Sequence, residues 1–330
     1  MINMNYKKNL RLSIIIVLIS LTLACGQEKT PTPTLETPTS TPAPDRESLI
    51  PLNPGKITLS EDIYPPKSET TEYEDPLPLP YPVNTAGGED SAFVMPDGNT
   101  LYVWFTPDVS KPAEEQLPDG VTGIYVFHKI DGGWSTAERV MLQDPGKLAL
   151  DGCEFIQNNL IWFCSAREGY AEINWFTAEF KDGEWQNWQL VDFNAEYEVG
   201  ELHITADGQE LYFHSSRPGG KGGYDIWVSA IVDGIWQEPV NVEVVNSLYI
   251  DGWPFITEDG SELWFTRGPG APALYRSKKV NGEWSEPEKM FSNFASEASL
   301  DRAGNVYFTH HYFKDDVMLE ADIYMARRKD

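Results

Sequence analysis

The sequence predicts an all-β protein, a five-bladed β-propeller of four-stranded antiparallel blades whose ring is closed by a strand from the N-terminal side. Three observations carry that expectation. A four-strand pattern recurs from residue 85 to the C-terminus, at the intervals of about 45–60 residues that mark repeat architectures. A turn followed by Trp recurs as DGGW (131–134), DGEW (182–185), DGIW (233–236) and NGEW (281–284). Aromatics make up 12% of the 330 residues, with 11 Trp among them, and aromatic side chains suit pleated, half-buried surfaces.

The strands follow in order. First strands with their turns read AFVMPDG (92–98), EFIQNN (154–159), LHITADG (202–208), PFITEDG (254–260) and ASLDRAG (298–304). Second strands are LYVWFT (101–106), LIWFCS (160–165), LYFHSS (211–216), LWFTRG (263–268) and VYFTHH (306–311). Third strands are GIYVFHK (123–129), EINWFTAEF (172–180), DIWVSAIV (225–232), ALYRSKKV (273–280) and DIYMARR (322–328). The turn-plus-Trp segment opens the fourth strand. Asp-Gly supplies the positive φ that tight hairpins need. A lone four-stranded meander leaves edges and a face uncovered, and radial stacking covers both. The repeated Trp is therefore expected to pack between neighbouring blades.

The fifth unit ends after its third strand. Upstream, TEYEDPLPLPYPVNT (71–85) matches GIWQEPVNVEVVNS (234–247), with Tyr73 in place of Trp236 and Val83-Asn84 in place of Val245-Asn246. The N-terminal segment should thus supply the missing outer strand. Residues 48–70 form a poorly defined lead-in, with Lys56 to Leu59 as a candidate added edge strand, and 71–330 form the propeller.

The N-terminus reads as a leader. Lys7, Lys8 and Arg11 precede an apolar run from Leu12 to Leu23, too short to span a bilayer and suited to a signal peptide over 1–24. Leu21-Thr22-Leu23-Ala24-Cys25 resembles the bacterial lipobox, although Thr22 stands where Leu is usual. That resemblance implies a lipidated Cys25 and a membrane-anchored, extracytoplasmic lipoprotein. Residues 25–47 are a Pro/Thr tract without aromatics, an extended tether unable to build a core. Net charge is −26. That sign excludes a nucleic-acid partner, which requires clustered Lys and Arg, and favours solubility. It also allows an acidic mouth that attracts Ca²⁺ or a basic partner. Cys153 and Cys164 face each other if Asn158-Asn159 is a two-residue turn, within disulfide reach.

The stretches Thr205-Ala206-Asp207-Gly208-Gln209-Glu210-Leu211-Tyr212-Phe213 and Ser215-Ser216-Arg217-Pro218-Gly219-Gly220-Lys221-Gly222-Gly223-Tyr224-Asp225-Ile226-Trp227 resemble the TolB-type, WD-repeat-like β-propeller family. The resemblance covers 85–330 and is strongest in the third unit. It implies a propeller in the bacterial envelope and no single activity.

The loops joining fourth to first and second to third strands share one face. Acids gather there: Glu89, Asp90, Asp151, Glu154, Glu201, Asp251 and Glu297. Arg167, Arg217 and Arg267 end three second strands at a spacing of 50 residues, which places them in related positions. Three readings compete. In the first, each Arg pairs with a neighbouring acid, Arg217 with Asp225 for example, to fix a loop. In the second, Arg167, Arg217, Arg267, Glu201, Trp253, Tyr249 and His310 form a binding face for an envelope protein or a glycan. In the third, Asp90, Asp151 and Asp251 serve a glycoside hydrolase of the five-bladed arabinanase type. The second is the function the sequence favours, with no catalysis and a monomeric chain. The five His lack metal-type spacing, so no metal site or cofactor is expected.

Overall fold

The computed structural model describes residues 45–52, 55–193, 196–268, 270–315 and 317–329. The leader, Cys25 and nearly all of the tether lie outside them. The described residues belong to one compact unit, Ala43–Asp330. It is an all-β structure, with a four-residue helix at Ala113–Gln116 and a 3-10 turn at Arg46–Leu49.

Each predicted repeat forms an antiparallel meander. The innermost strands are Gly88–Val94, Ala149–Gln157, Leu202–Ile204, Asp251–Ile256 and Ala295–Leu300. Each pairs with its second strand, Thr100–Thr106, Leu160–Arg167, Glu210–Ser215, Glu262–Arg267 or Val306–Lys314, and that strand pairs with the third. The hairpins follow the turn chemistry: Asp182-Gly183, Asp233-Gly234 and Asn281-Gly282 all take positive φ. The outer strand departs from the expected single run. In units one, three and four the Trp segment makes a short hairpin tip, and a separate piece pairs further along the third strand, at Glu138–Arg139, Val240–Asn241 and Glu288–Ser292. The Trp residues divide accordingly. Trp284 meets Tyr212 of unit three edge-on at 6.1 Å, whereas Trp185 stays against Phe180 of its own unit at 5.0 Å.

The N-terminal segment pairs where the repeat predicts. Leu77–Pro78 runs antiparallel to the last strand, Val317–Ala326, and Tyr73 bridges Arg328. The side chain of Asn84 locks this pairing. Its Nδ2 donates to the Ile323 carbonyl at 2.9 Å and its Oδ1 accepts from the Ile323 N–H at 2.9 Å. Asn246 makes the same two bonds to Ile226, both at 2.8 Å. One short motif therefore does the same work at both places, although in unit five the strands come from opposite ends of the chain.

Two features were not foreseen. Units one and five merge into a single nine-stranded sheet, so the five meanders occupy four sheets. The junction is a parallel pairing of Ala321 with Gly88. A Cβ on Gly88 would lie 2.4 Å from Val109, and one on Gly87 would lie 2.6 Å from Phe105, so the glycine pair lets the first strand of unit one pack closely against its own second strand and the loop after it. Second, Lys56 to Leu59 is not a strand. The added edge is Lys67–Ser68, paired with Glu288–Ser292 of unit four. Lys56 is held instead by Glu320 and Asp322, and that side-chain pairing replaces strand hydrogen bonds.

The units touch in sequence and the last touches the first. Phe93 of unit one meets Phe155 of unit two at 5.6 Å, and Phe155 meets His203 of unit three at 4.3 Å. His203 meets Phe255 of unit four at 4.5 Å, Phe291 of unit four meets Phe308 of unit five at 5.3 Å, and the Gly88 pairing joins five to one. Three apolar clusters lie within and between the sheets. Each fully buried Phe, such as Phe163 or Phe265, contributes about 1.5–3 kcal/mol of transfer free energy.

Candidate functional site

Four of the five innermost strands, those of units one, two, four and five, stagger at the same point. Register slips between Asp90 and Phe93, Gly152 and Phe155, Gly252 and Phe255, and Ser296 and Ser299. The residue inside each slip has positive φ: Ser91, Cys153, Trp253 and Glu297. These are β-bulges, which re-aim side chains. They also sort the acids predicted for this face into two groups.

The first group sits before the bulge and does not line the cavity that the five inner strands share, whose centre marks the axis. Asp251 lies directly opposite Arg267 and pairs with it at 2.5 Å, while accepting from the Ser247 N–H and Oγ. Asp151 lies opposite Ser165, and Arg167, two residues further on, reaches back to it at 2.7 Å. The 50-residue spacing of the arginines hides this offset. The inner hairpin of unit two turns on Asn158-Asn159 alone, whereas that of unit four is longer. Arg217 departs from the expected pattern. No acid among the described residues lies within ion-pair distance of it; its Nε donates to Ser215 Oγ at 3.3 Å, its guanidinium lies over Phe213 at 4.8 Å and Trp227 at 5.3 Å, and burial lowers its pKa. The expected partner, Asp225, instead accepts from the backbone N–H groups of Lys221 and Gly222. Val199 stands where the sister units carry Asp151 and Asp251, which leaves Arg217 without a carboxylate.

In units one and five the residues ahead of the propeller complete the pattern. Glu89 occupies the acid position, but Phe105 stands opposite it. Arg46 enters from the last residues assigned to the tether, just ahead of the lead-in, and its burial corrects the expectation that the tether stays outside the fold; it lies 3.5 Å from Glu89, with its guanidinium over Phe105 at 4.9 Å and Phe127 at 5.2 Å. In unit five Ala295 stands at the acid position opposite His310. Asp62, from the lead-in, takes His310 Nε2 at 3.1 Å. His310 is fully buried and therefore not part of an open surface. Burial raises Glu89 to about 7 even against the pull of Arg46.

The second group faces the axis. Residues 91–93, 153–155, 201–203, 253–255 and 297–299, three from each inner strand, line one cavity of about 50 Å³. Asp90 accepts from the Ser91 N–H at 2.8 Å and pairs with His311 Nε2 at 3.5 Å. Glu297 accepts from Ser91 Oγ at 2.5 Å, and Glu201 accepts from the Trp253 indole N–H at 3.0 Å. Trp253 is steadied by His214, whose Nδ1 accepts its backbone N–H at 3.2 Å. Glu154 is 6% exposed, and neither of its carboxyl oxygens has a hydrogen-bond partner. Burial and the charge of Asp90 push Glu201 up to about 8 and raise Glu154 and Glu297 well above the usual range. Burial also opposes the charges of Asp90 and His311, but their mutual attraction wins, lowering Asp90 and raising His311. The axis thus holds four carboxyls and two imidazoles, of which only His311 is paired with an acid, while burial lowers the His203 pKa to about 3.

In the loops predicted for this face Tyr249 is 53% exposed and Tyr170 and Tyr197 are also open, while Trp253, which lines the cavity, is half-buried. Cys153 and Cys164 are joined by a disulfide with Cα atoms 5.4 Å apart. The bulge puts Gly152, not Cys153, opposite Cys164 in the ladder. A larger cavity, about 930 Å³, opens among the first-to-second-strand turns and meets the axial one at Phe93, Phe155, His203 and Phe255. Among the described residues no group of three His, Cys, Asp or Glu converges at metal-ligand distance. Arg46 and Asp62 carried no sequence signal, because both lie in a segment without repeat character.

No family model matches the chain, and no curated protein does. Among solved structures it is similar to TolB from Acinetobacter baumannii, at 12% identity and a TM-score of 0.43 over 75% of this chain and 56% of that one. It is also similar to the catalytic domain of Coprinopsis cinerea GH62 α-L-arabinofuranosidase, at 11% identity and a TM-score of 0.49 over 81% of this chain and 97% of that one. A third is the Bacteroides ovatus xyloglucan PUL GH43B, at 12% identity and a TM-score of 0.48 over 78% of this chain and 56% of that one. The chain thus spans little more than half the length of the TolB and GH43B chains.

Proposed function

We propose that this chain is an exported lipoprotein, anchored through Cys25, whose five meanders are the blades of a propeller that binds an envelope protein or glycan at the loop face around its axis. The observation that carries the reading is the axial cavity: every inner strand contributes to it, half-buried Trp253 stands there beside buried acids, and the loops of the same predicted face carry exposed tyrosines. Such a combination of aromatic surface and a few oriented polar groups suits recognition. Catalysis by Asp90, Asp151 and Asp251 fits poorly. Asp151 and Asp251 are neutralised by arginines from their own sheets, and a general acid or base needs an accessible carboxyl.

The test uses residues 43–330, which form one compact unit. That domain is applied to a glycan array and to purified envelope proteins, alongside a Tyr249→Ala, Trp253→Ala variant and a panel of chromogenic glycosides. A defined ligand bound by the parent and lost by the folded variant supports the reading. Turnover of a glycoside, or binding untouched by the double substitution, overturns it.

A further inference from the structure

We propose that the axial cavity receives a primary ammonium group carried on a slender alkyl chain, the side chain of a lysine in a protein partner. The inference rests on reading the loop face as the binding face and names the chemistry at its centre.

The acids alone would not carry it, but Glu154 does not behave as a structural acid. It is 6% exposed, lines the axial cavity, and leaves both carboxyl oxygens without a partner. A buried carboxyl with no hydrogen bonds is costly to retain, and a donor arriving in the cavity removes that cost. Glu201 and Glu297 stand at the same cavity, each with one oxygen engaged, by Trp253 and by Ser91. Asp90 is occupied with His311. Three carboxyls therefore remain for an incoming cation, and an ammonium carries three rotatable donors. The Trp253 ring beside Glu201 adds an aromatic surface that favours a cation.

Size and geometry narrow the class. A cavity of about 50 Å³ holds a methylammonium-sized group and excludes the ring of an amino sugar. A hard divalent ion needs six or more oxygens at 2.3–2.6 Å, and no three acidic or imidazole groups converge that closely among the described residues. Ammonium–carboxylate contacts are longer, near 2.8 Å, and tolerate the wider spread. The overall charge of −26 draws such a partner in.

The experiment titrates n-butylamine into ¹⁵N-labelled 43–330 at pH 8 and follows the indole N–H of Trp253, assigned by its loss in Trp253→Phe. The same titration is run with glucosamine, with CaCl₂, and on Glu154→Gln and Glu297→Gln, each first checked for an unchanged amide spectrum. A saturable shift with butylamine, absent with glucosamine and weakened at least tenfold in either variant, is the expected result. Two variants guard against one failing to fold. No saturable shift, an equal response to glucosamine, displacement of the amine by equimolar Ca²⁺, or full affinity in both variants would each overturn the proposal. Ligand binding at the rim is scored separately through Tyr249→Ala. A face that still binds its partner while ignoring butylamine removes the lysine inference and leaves the binding face standing.

Discussion

Units two and four carry both halves of a buried ion pair, whereas units one and five each carry one half and take the other from the residues ahead of the propeller, Arg46 at the end of the tether and Asp62 in the lead-in. Asp151 with Arg167 and Asp251 with Arg267 are built from hairpins within single sheets. Glu89 has no arginine opposite it and takes Arg46; His310 has no acid opposite it and takes Asp62. Lys56 adds a third link, to Glu320 and Asp322. Glu72 extends the stitching to Arg276 of unit four, and that hydrogen-bonded ion pair holds Glu72 at about 2. The difference shows where the two chain ends meet. Where the repeat is whole, the charge is balanced locally. Where it is interrupted, a segment without repeat character supplies the counter-charge, and the lead-in becomes part of the folded unit.

The largest expected effect tests the self-contained pair. Arg167→Met should cost about 3–5 kcal/mol, because it strands a buried Asp151. Asp151→Asn on the same background should recover much of that loss, as read by urea denaturation of each variant. Equal stability of Arg167→Met and the parent would show that the pair does not hold unit two together.

Next in size are the two asparagines. Asn84→Ala and Asn246→Ala each remove two buried hydrogen bonds to a third strand, worth about 1–3 kcal/mol together. Near-equal losses in thermal unfolding would support the match between the chain-end strand and unit three. A negligible loss for Asn84→Ala alone would break it.

The lead-in is tested through pH. Burial already raises Glu320 to about 7 against the pull of Lys56. A carboxyl whose folded pKa is raised supports the fold fully below its unfolded value and loses that support as pH rises through the folded one. Lys56→Met removes the cation and raises Glu320 and Asp322 further. The destabilisation should therefore be small at pH 5.5 and grow toward pH 8, to about 1–2 kcal/mol for this partly exposed lysine. Melting curves at the two pH values decide it, and a loss independent of pH would argue against the pairing. The parent itself should lose stability between pH 6.5 and 8, the window in which Glu89, Glu201 and Glu320 ionise.

The last effect, no larger than that of Lys56→Met at pH 8, belongs to Arg217→Ala. No paired acid is left behind, so its stacking on Phe213 and Trp227 and its 3.3 Å hydrogen bond to Ser215 Oγ are lost, about 1–2 kcal/mol. A loss as large as that of Arg167→Met would mean that Arg217 has a partner equivalent to Asp151.

The sequence by itself determined the three inner strands of each unit, the turns between them and the partner of the last strand. These follow from local rules: alternation of apolar residues, positive-φ Asp-Gly turns, and a Val-Asn motif that pairs with whichever third strand it meets. It also gathered the acids on one face. Only the tertiary structure decided which acids are neutralised and which line the axis, because a one-residue bulge in four of the inner strands turns neighbouring side chains in different directions and leaves no mark in the composition. Likewise only the folded chain brings Arg46 and Asp62 to Glu89 and His310. Charge complementarity acts through space, and residues 46 and 62 share no repeat with the groups they meet.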